Sequence, residues 1–187
     1  MDLKDQLFKL LNESVQDTFN AILNLIPVMT NEQFMPAKEA ATLSSIGFAG
    51  KLAGTFSLCL ENSFACDIVS KMLDMEIKEI NSDVTDGIGE IVNIIIGGVK
   101  MKLATQNAPH DFNLGIPTAV RGNQLEVFGE TNDLVKIMQN YTCGNIKFCI
   151  VLMYKINEEK EEEKSVLLKN KKLDALAKLN KLMGEKK

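Results

Sequence analysis

Between Asp83 and Thr105 an apolar side chain returns at Val84, Ile88, Ile91, Ile95 and Val99, every third or fourth position. That period fits an α-helix and no strand. A stripe of branched aliphatics on a helix this long has to lie against another element, so the segment demands a layer to pack on. Asn81-Ser-Asp83 just upstream supplies capping side chains and an early negative charge, which sets the start of the helix there.

The rest of the chain says what that layer is. Leu3, Leu7, Leu10, Leu11, Val15, Phe19, Ile22 and Ile26 also recur at helical spacing, predicting a long amphipathic helix over residues 2 to 26 that Pro27 stops. After a loop holding Pro36, the segment from Thr42 to Leu60 alternates sides about Gly50-Lys51 and predicts a β-hairpin. Asn62 can cap a helix through about Leu73, with Phe64, Ile68, Val69 and Met72 turned inward. Strand-like runs follow the long central helix. Phe112 to Val120 leads through a turn at Arg121-Gly-Asn123 to Gln124–Phe128, and Leu134–Tyr141 and Asn145–Ile156 form a hairpin about Cys143-Gly-Asn145. The order predicts an α+β domain over residues 1 to 156, a largely antiparallel sheet flanked by two long helices.

From Asn157 the composition changes. Glu158-Glu-Lys-Glu-Glu-Glu-Lys164 is a charge run, and Leu173, Leu176, Leu179 and Met183 then recur among lysines. Residues 157 to 187 read either as a solvated tail, helical or flexible, or as a C-terminal helical extension that docks on a partner or a dimer mate.

Several function classes drop out. The 21 Lys and Arg are interleaved with 25 acids for a net charge of -4, so no basic face offers itself to nucleic acid. The N-terminus carries charges of both signs, and the most apolar stretch, Ile91–Val99, is too short to cross a bilayer. A soluble, cytoplasmic protein without membrane insertion is expected. The four cysteines, Cys59, Cys66, Cys143 and Cys149, contain no C-x-x-C pair, and His110 is the single histidine. No metal site or disulfide is expected from them, nor any cofactor in this chain. Cys59 and Cys149 read as small core residues in a reducing compartment. The glycines between 87 and 98 lie inside a helix with no following G-K-[ST], so they form no phosphate loop.

The second face of the central helix holds the chemistry. At about 100° per residue, Asp86, Glu90, Asn93, Gly97, Lys100 and Ala104 fall within an arc of roughly 80°. The plain explanation is the wet side of an amphipathic helix. Two features ask for more. Gly87, Gly89, Gly97 and Gly98 share this helix, each at a cost of about 1 kcal/mol relative to Ala, which implies something packed close to the backbone. Gly97 lies beside Asn93 on the polar face, where an incoming surface could approach. Asn93 itself adjoins a β-branched run and competes for backbone hydrogen bonds, where Lys, Glu or Gln would serve a merely solvated position better.

With Asp86 four residues before Glu90, Glu90-x-x-Asn93, Gly97 four after Asn93, and Pro117 in Gly115-Ile-Pro-Thr118, the chain resembles the CheC/CheX/FliY chemotaxis phosphatases. Ile46-Gly-Phe-Ala-Gly50, Gly54-Thr-Phe-Ser57, Lys71-Met-Leu73 and Lys100-x-Lys102-Leu103 fit the same pattern, and the resemblance covers roughly residues 5 to 156. A single signature, in the second long helix, is similar to CheX rather than to the two-signature CheC and FliY. An acid-x-x-Asn in the first helix, Asp17 to Asn20, lacks the Glu and the flanking glycines and is read as inactive. The spacing from Asn93 to Pro117 is one residue longer than in the CheC pattern, and the tail after Ile156 exceeds the usual CheX length.

The resemblance implies a CheC-like fold, a homodimer with joined sheets, and a substrate: the aspartyl phosphate of a CheY-type response regulator. Phe148–Tyr154 is consistent with an edge strand for such a dimer. Asn93 would orient the attacking water, and Glu90 would pair with the lysine of the receiver's active site. Asp86, Gly97 and Lys100 would meet the partner, whose receiver domain carries the Mg2+. A solvated carboxylate is a weak base at neutral pH, which argues against Glu90 as general base. The alternative is a non-catalytic module that binds a receiver or a flagellar-switch partner, as the FliM-type proteins of this fold do without the Glu/Asn pair.

Overall fold

A computed structural model describes residues 2–32, 41–106, 111–122, 125, 133–144 and 146–157. Its elements run in the order α1 (Leu3–Leu23), β1 (Val28–Thr30), β2 (Ala41–Gly50), β3 (Leu52–Glu61), α2 (Asn62–Leu73), α3 (Ser82–Thr105), β4 (Phe112–Leu114), β5 (Thr118–Gly122), β6 (Val135–Cys143) and β7 (Ile146–Ile156). They belong to the unit Met1–Asn157; the expected helical extension falls on Glu158–Lys187, outside the described residues.

The strands make one sheet, ordered β1-β6-β7-β3-β2-β4, with β5 also on β2. All of these pairings are antiparallel, so the α+β architecture with a largely antiparallel sheet is the one observed. Both expected hairpins form. β2 and β3 fold back about Lys51 with Phe48 opposite Gly54. β6 and β7 turn through Gly144, whose φ of 64° is a left-handed conformation that costs glycine nothing.

Several boundaries differ from the sequence expectation, each for a local reason. α1 ends at Leu23 rather than running on to Ile26, because Asn24 turns left-handed (φ 54°) and its N–H donates to the Asn20 carbonyl at 2.9 Å. Asn62 does not cap α2. It is the first helical residue, and its Oδ1 instead accepts from Thr42 Oγ1 at 2.9 Å, tying the helix start to β2. The run Phe112–Val120 is two short strands, since Gly115-Ile-Pro117 interrupts the ladder and Pro117 has no N–H to give it. Arg121 and Gly122 extend β5 instead of turning, and Gln124–Phe128 lies outside the described residues except for Leu125.

The largest correction concerns Phe148–Tyr154. β7 is an interior strand, paired with β3 on one side and β6 on the other, so it offers no open edge to a second subunit. An interior strand buried on both faces reads as an unbroken apolar run, which is the pattern that suggested an edge.

One face of the sheet carries the helices. Val84, Ile88, Ile91, Ile95 and Val99, the stripe that opened the sequence argument, are all 0% exposed. They join Leu7, Leu11, Val15 and Phe19 of α1 and Ile46, Phe56, Ile150 and Leu152 of the sheet in one cluster. Phe19 and Tyr141 stack on Phe148 with centroids 4.6 and 5.1 Å away. α3 crosses its neighbours closely: a methyl at Gly87 would stand 2.6 Å from Val69 Cγ2 of α2, and one at Gly98 would collide with Ser14 Oγ of α1. Two of the helix's glycines are therefore explained by its own packing.

Candidate functional site on the exposed flank of α3

The helix that carries the site is fixed at its start by a side chain. Asn81 Oδ1 accepts from Val84 N at 3.0 Å, and the Asn81 carbonyl takes the Thr85 N–H. With its apolar stripe sunk into the core, α3 has one rotational setting, and that setting puts the opposite arc outward. Asp86, Glu90 and Ala104 are exposed, and Asn93, Gly97 and Lys100 are half-buried. All five proposed site residues thus share one flank.

Their surroundings differ. Neither Glu90 nor Asn93 has a hydrogen-bond or ion-pair partner among the described residues. Lys100 is occupied by its own chain: Nζ donates to Asn113 Oδ1 at 3.4 Å and lies 3.8 Å from Asp111 Oδ1. It holds the start of β4 to the helix. Gly97 is the most open of the helical glycines; among the described residues a methyl there would meet only Leu114 Cδ1, at 3.9 Å. At Gly89 a methyl would touch the Pro117 ring at 3.4 Å.

Those two contacts describe how the β4–β5 connection runs. Leu114 lies against Gly97 and Pro117 against Gly89, so the connection passes antiparallel along the row Gly89–Asn93–Gly97. Gly115 anchors it from below, its N–H donating to the Gly47 carbonyl of β2 at 2.8 Å. Pro117 belonged to the sequence pattern, but its place beside the helix did not follow from spacing. The glycine and proline that break the strand were the available signal.

The thiols offer no alternative nucleophile on this flank. All four cysteines are free and buried. Burial raises the Cys66 and Cys143 thiols, and a hydrogen bond with Cys149, opposite it on β7, together with burial raises Cys59. Those three stay protonated at neutral pH; the same hydrogen bond lowers Cys149, which lies buried on β7 beside Cys59 and away from the α3 flank. His110 lies outside the described residues. Among the described residues no three His, Cys, Asp or Glu side chains converge as metal ligands, and no helix is long and apolar enough to cross a membrane.

A family profile described as chemotaxis phosphatase CheX matches residues 42–135. No curated protein matches the sequence. Several solved structures share the fold. The chemotaxis protein CheX from Vibrio vulnificus is 21% identical, with a TM-score of 0.69 over 83% of this chain and 100% of that one. A CheC-like superfamily protein from Shewanella sp. PV-4 is 20% identical, with a TM-score of 0.70 over 83% and 99%. A CheX–CheY–BeF3–Mg2+ complex from Borrelia burgdorferi contains a chain 15% identical, with a TM-score of 0.62 over 81% and 97%.

Proposed function

Because the chain belongs to the CheX family of chemotaxis phosphatases, we propose that it hydrolyses the aspartyl phosphate of a CheY-type response regulator, inserting Glu90 and Asn93 into the receiver's active site. The observation that carries this reading is an amide and a carboxylate one helical turn apart on the open flank of α3, neither with a partner among the described residues. The Borrelia burgdorferi complex, of the same fold, supports a CheY-type partner.

The chemistry suits such a pair. An acyl phosphate is already labile, and phosphoryl transfer through a loose transition state asks little of a base and much of alignment. The amide oxygen of Asn93 accepts a hydrogen bond from water and holds it in line with phosphorus. The bond from phosphorus to the receiver aspartate breaks, a bond to the water oxygen forms, and the water's proton passes to the phosphate. Glu90 grips the receiver's active-site lysine and sets the depth of insertion. The Mg2+ belongs to the receiver. Asp86 and Gly97 flank the pair as contact positions, Gly97 by leaving space, while Lys100 shapes the surface through the β4 segment it holds. The enzyme would act in the cytoplasm as a homodimer, joined through a strand other than β7.

The test uses the full chain and the CheY-type receivers of the same genome, each phosphorylated with acetyl phosphate. Wild type should accelerate phosphate release from one of them, and Asn93→Ala should abolish that acceleration while still binding the receiver loaded with beryllofluoride and Mg2+. Wild-type rates in Asn93→Ala would refute the mechanism. Binding without accelerated release by wild type would leave the non-catalytic module.

A further inference from the structure

The β4–β5 connection carries a side chain that packing does not explain. Ile116 is 86% exposed, although its neighbours Leu114 and Pro117 both lie on α3. Its level along the helix follows from theirs. Gly89 and Gly97, eight residues apart, span about 12 Å of helix. The three steps from Leu114 to Pro117 span about 10 Å when extended. Residues 115 and 116 therefore pass at the height of Asn93, midway along the row. On the other side of Asn93, at about 100° per residue, the helix turns Ile94 outward. It is 42% exposed.

Singly exposed aliphatics are ordinary on a protein surface. Here two of them flank Asn93, Ile116 from the connection and Ile94 from the helix. We infer that Ile116, with Ile94, forms an apolar rim that seats on apolar surface bordering the receiver's phosphorylation pocket and governs capture rather than turnover. The inference rests on the phosphatase reading above, because a surface within a side chain's reach of Asn93 is buried whenever that amide enters another protein. Contiguity with the pair is what names the receiver as occupant. An apolar patch with charged groups at its margin (Asp86, Glu90 and the Lys100–Asp111 pair) has the make-up of an interface centre and its border.

Ile116→Ser removes the aliphatic surface without adding charge. Its effect on KM for the acetyl-phosphate-loaded receiver should be about a tenfold rise, equivalent to about 1.4 kcal/mol, with kcat within about twofold of wild type. Ile116→Val should stay close to wild type. The same tenfold loss should appear when Ile116→Ser is added to Asn93→Ala and binding of the beryllofluoride-loaded receiver is measured by calorimetry. Unchanged KM and affinity in Ile116→Ser would overturn the rim, as would a change confined to oligomeric state by light scattering, which would mark the patch as a self-contact. If wild type releases phosphate from no receiver, the phosphatase reading fails and the rim fails with it. That outcome is seen in wild type alone, before any Ile116 variant is compared.

Discussion

α1 and α3 each carry an acid followed three residues later by asparagine, and the two pairs meet different fates. In α1, Asp17 Oδ2 lies 2.8 Å from Lys102 Nζ of α3, with Glu13 3.6 Å from the same ammonium. Asn20 is exposed on the last turn, and its carbonyl closes the helix by accepting from Asn24 N. That acid is engaged in holding two helices of one chain together. In α3, Glu90 has nothing to hold among the described residues, and Asn93 lies mid-helix where the backbone cannot fray. Spacing places two side chains on one face; neighbours decide whether they are available to a second protein.

The sharpest way to break this contrast is to remove each amide in turn. Asn93→Ala should lower stimulated phosphate release at least a hundredfold, about 2.7 kcal/mol of transition-state stabilisation. Asn20→Ala should leave it within about twofold. Equal losses would mean that spacing alone confers activity, or that neither pair is the site. Glu90→Gln keeps the shape and removes the charge, so it should weaken binding of the beryllofluoride-loaded receiver about tenfold, the scale of one charge-assisted contact. Unaltered affinity with slow turnover would give the carboxylate a chemical role instead.

Much of this contrast is legible in the amino-acid sequence itself. The stripe Val84–Val99 fixed the buried face of α3 and, by subtraction, the exposed one; the Asn81 cap and the two hairpins were readable from residue chemistry. What was hidden depends on distant partners. Nothing local to Lys102 says that it meets Asp17, eighty-five positions away, or that Lys100 is held by Asn113. Strand order is equally nonlocal, so β7 looked like an edge when it is interior. β1, three residues long, is too short for a period, and the end of α1 turns on a left-handed Asn24 that costs little and leaves no pattern.

The glycines of α3 sharpen the comparison further, because they divide by what they meet. At Gly87 a methyl would press on both Val69 methyls, at 2.6 and 3.0 Å, and Val69 is stiff and fully buried. Gly87→Ala should therefore destabilise the fold by about 1–3 kcal/mol, read as a lowered denaturation midpoint. At Gly97 there is room, and the exchange of glycine for alanine inside a helix gains up to about 1 kcal/mol. Gly97→Ala should raise Tm slightly while raising KM for the phosphorylated receiver. A raised Tm with unchanged KM would remove Gly97 from the contact surface and leave its presence unexplained by docking.

The smallest effect tests the α1 side of the contrast directly. Asp17 is largely exposed, and Lys102 keeps Glu13 as a second anion. Surface ion pairs contribute about 0–1 kcal/mol, and removing one acid of two leaves the ammonium still partnered. Asp17→Asn should thus lower stability by about 0.5 kcal/mol or less, with the loss shrinking further in high salt, and should leave phosphatase activity unchanged. A large fall in activity without a fall in stability would show that the α1 acid acts beyond bracing α3. The distinction between a structural and a functional acid-x-x-Asn pair would then have to be redrawn around Lys102, which both helices share.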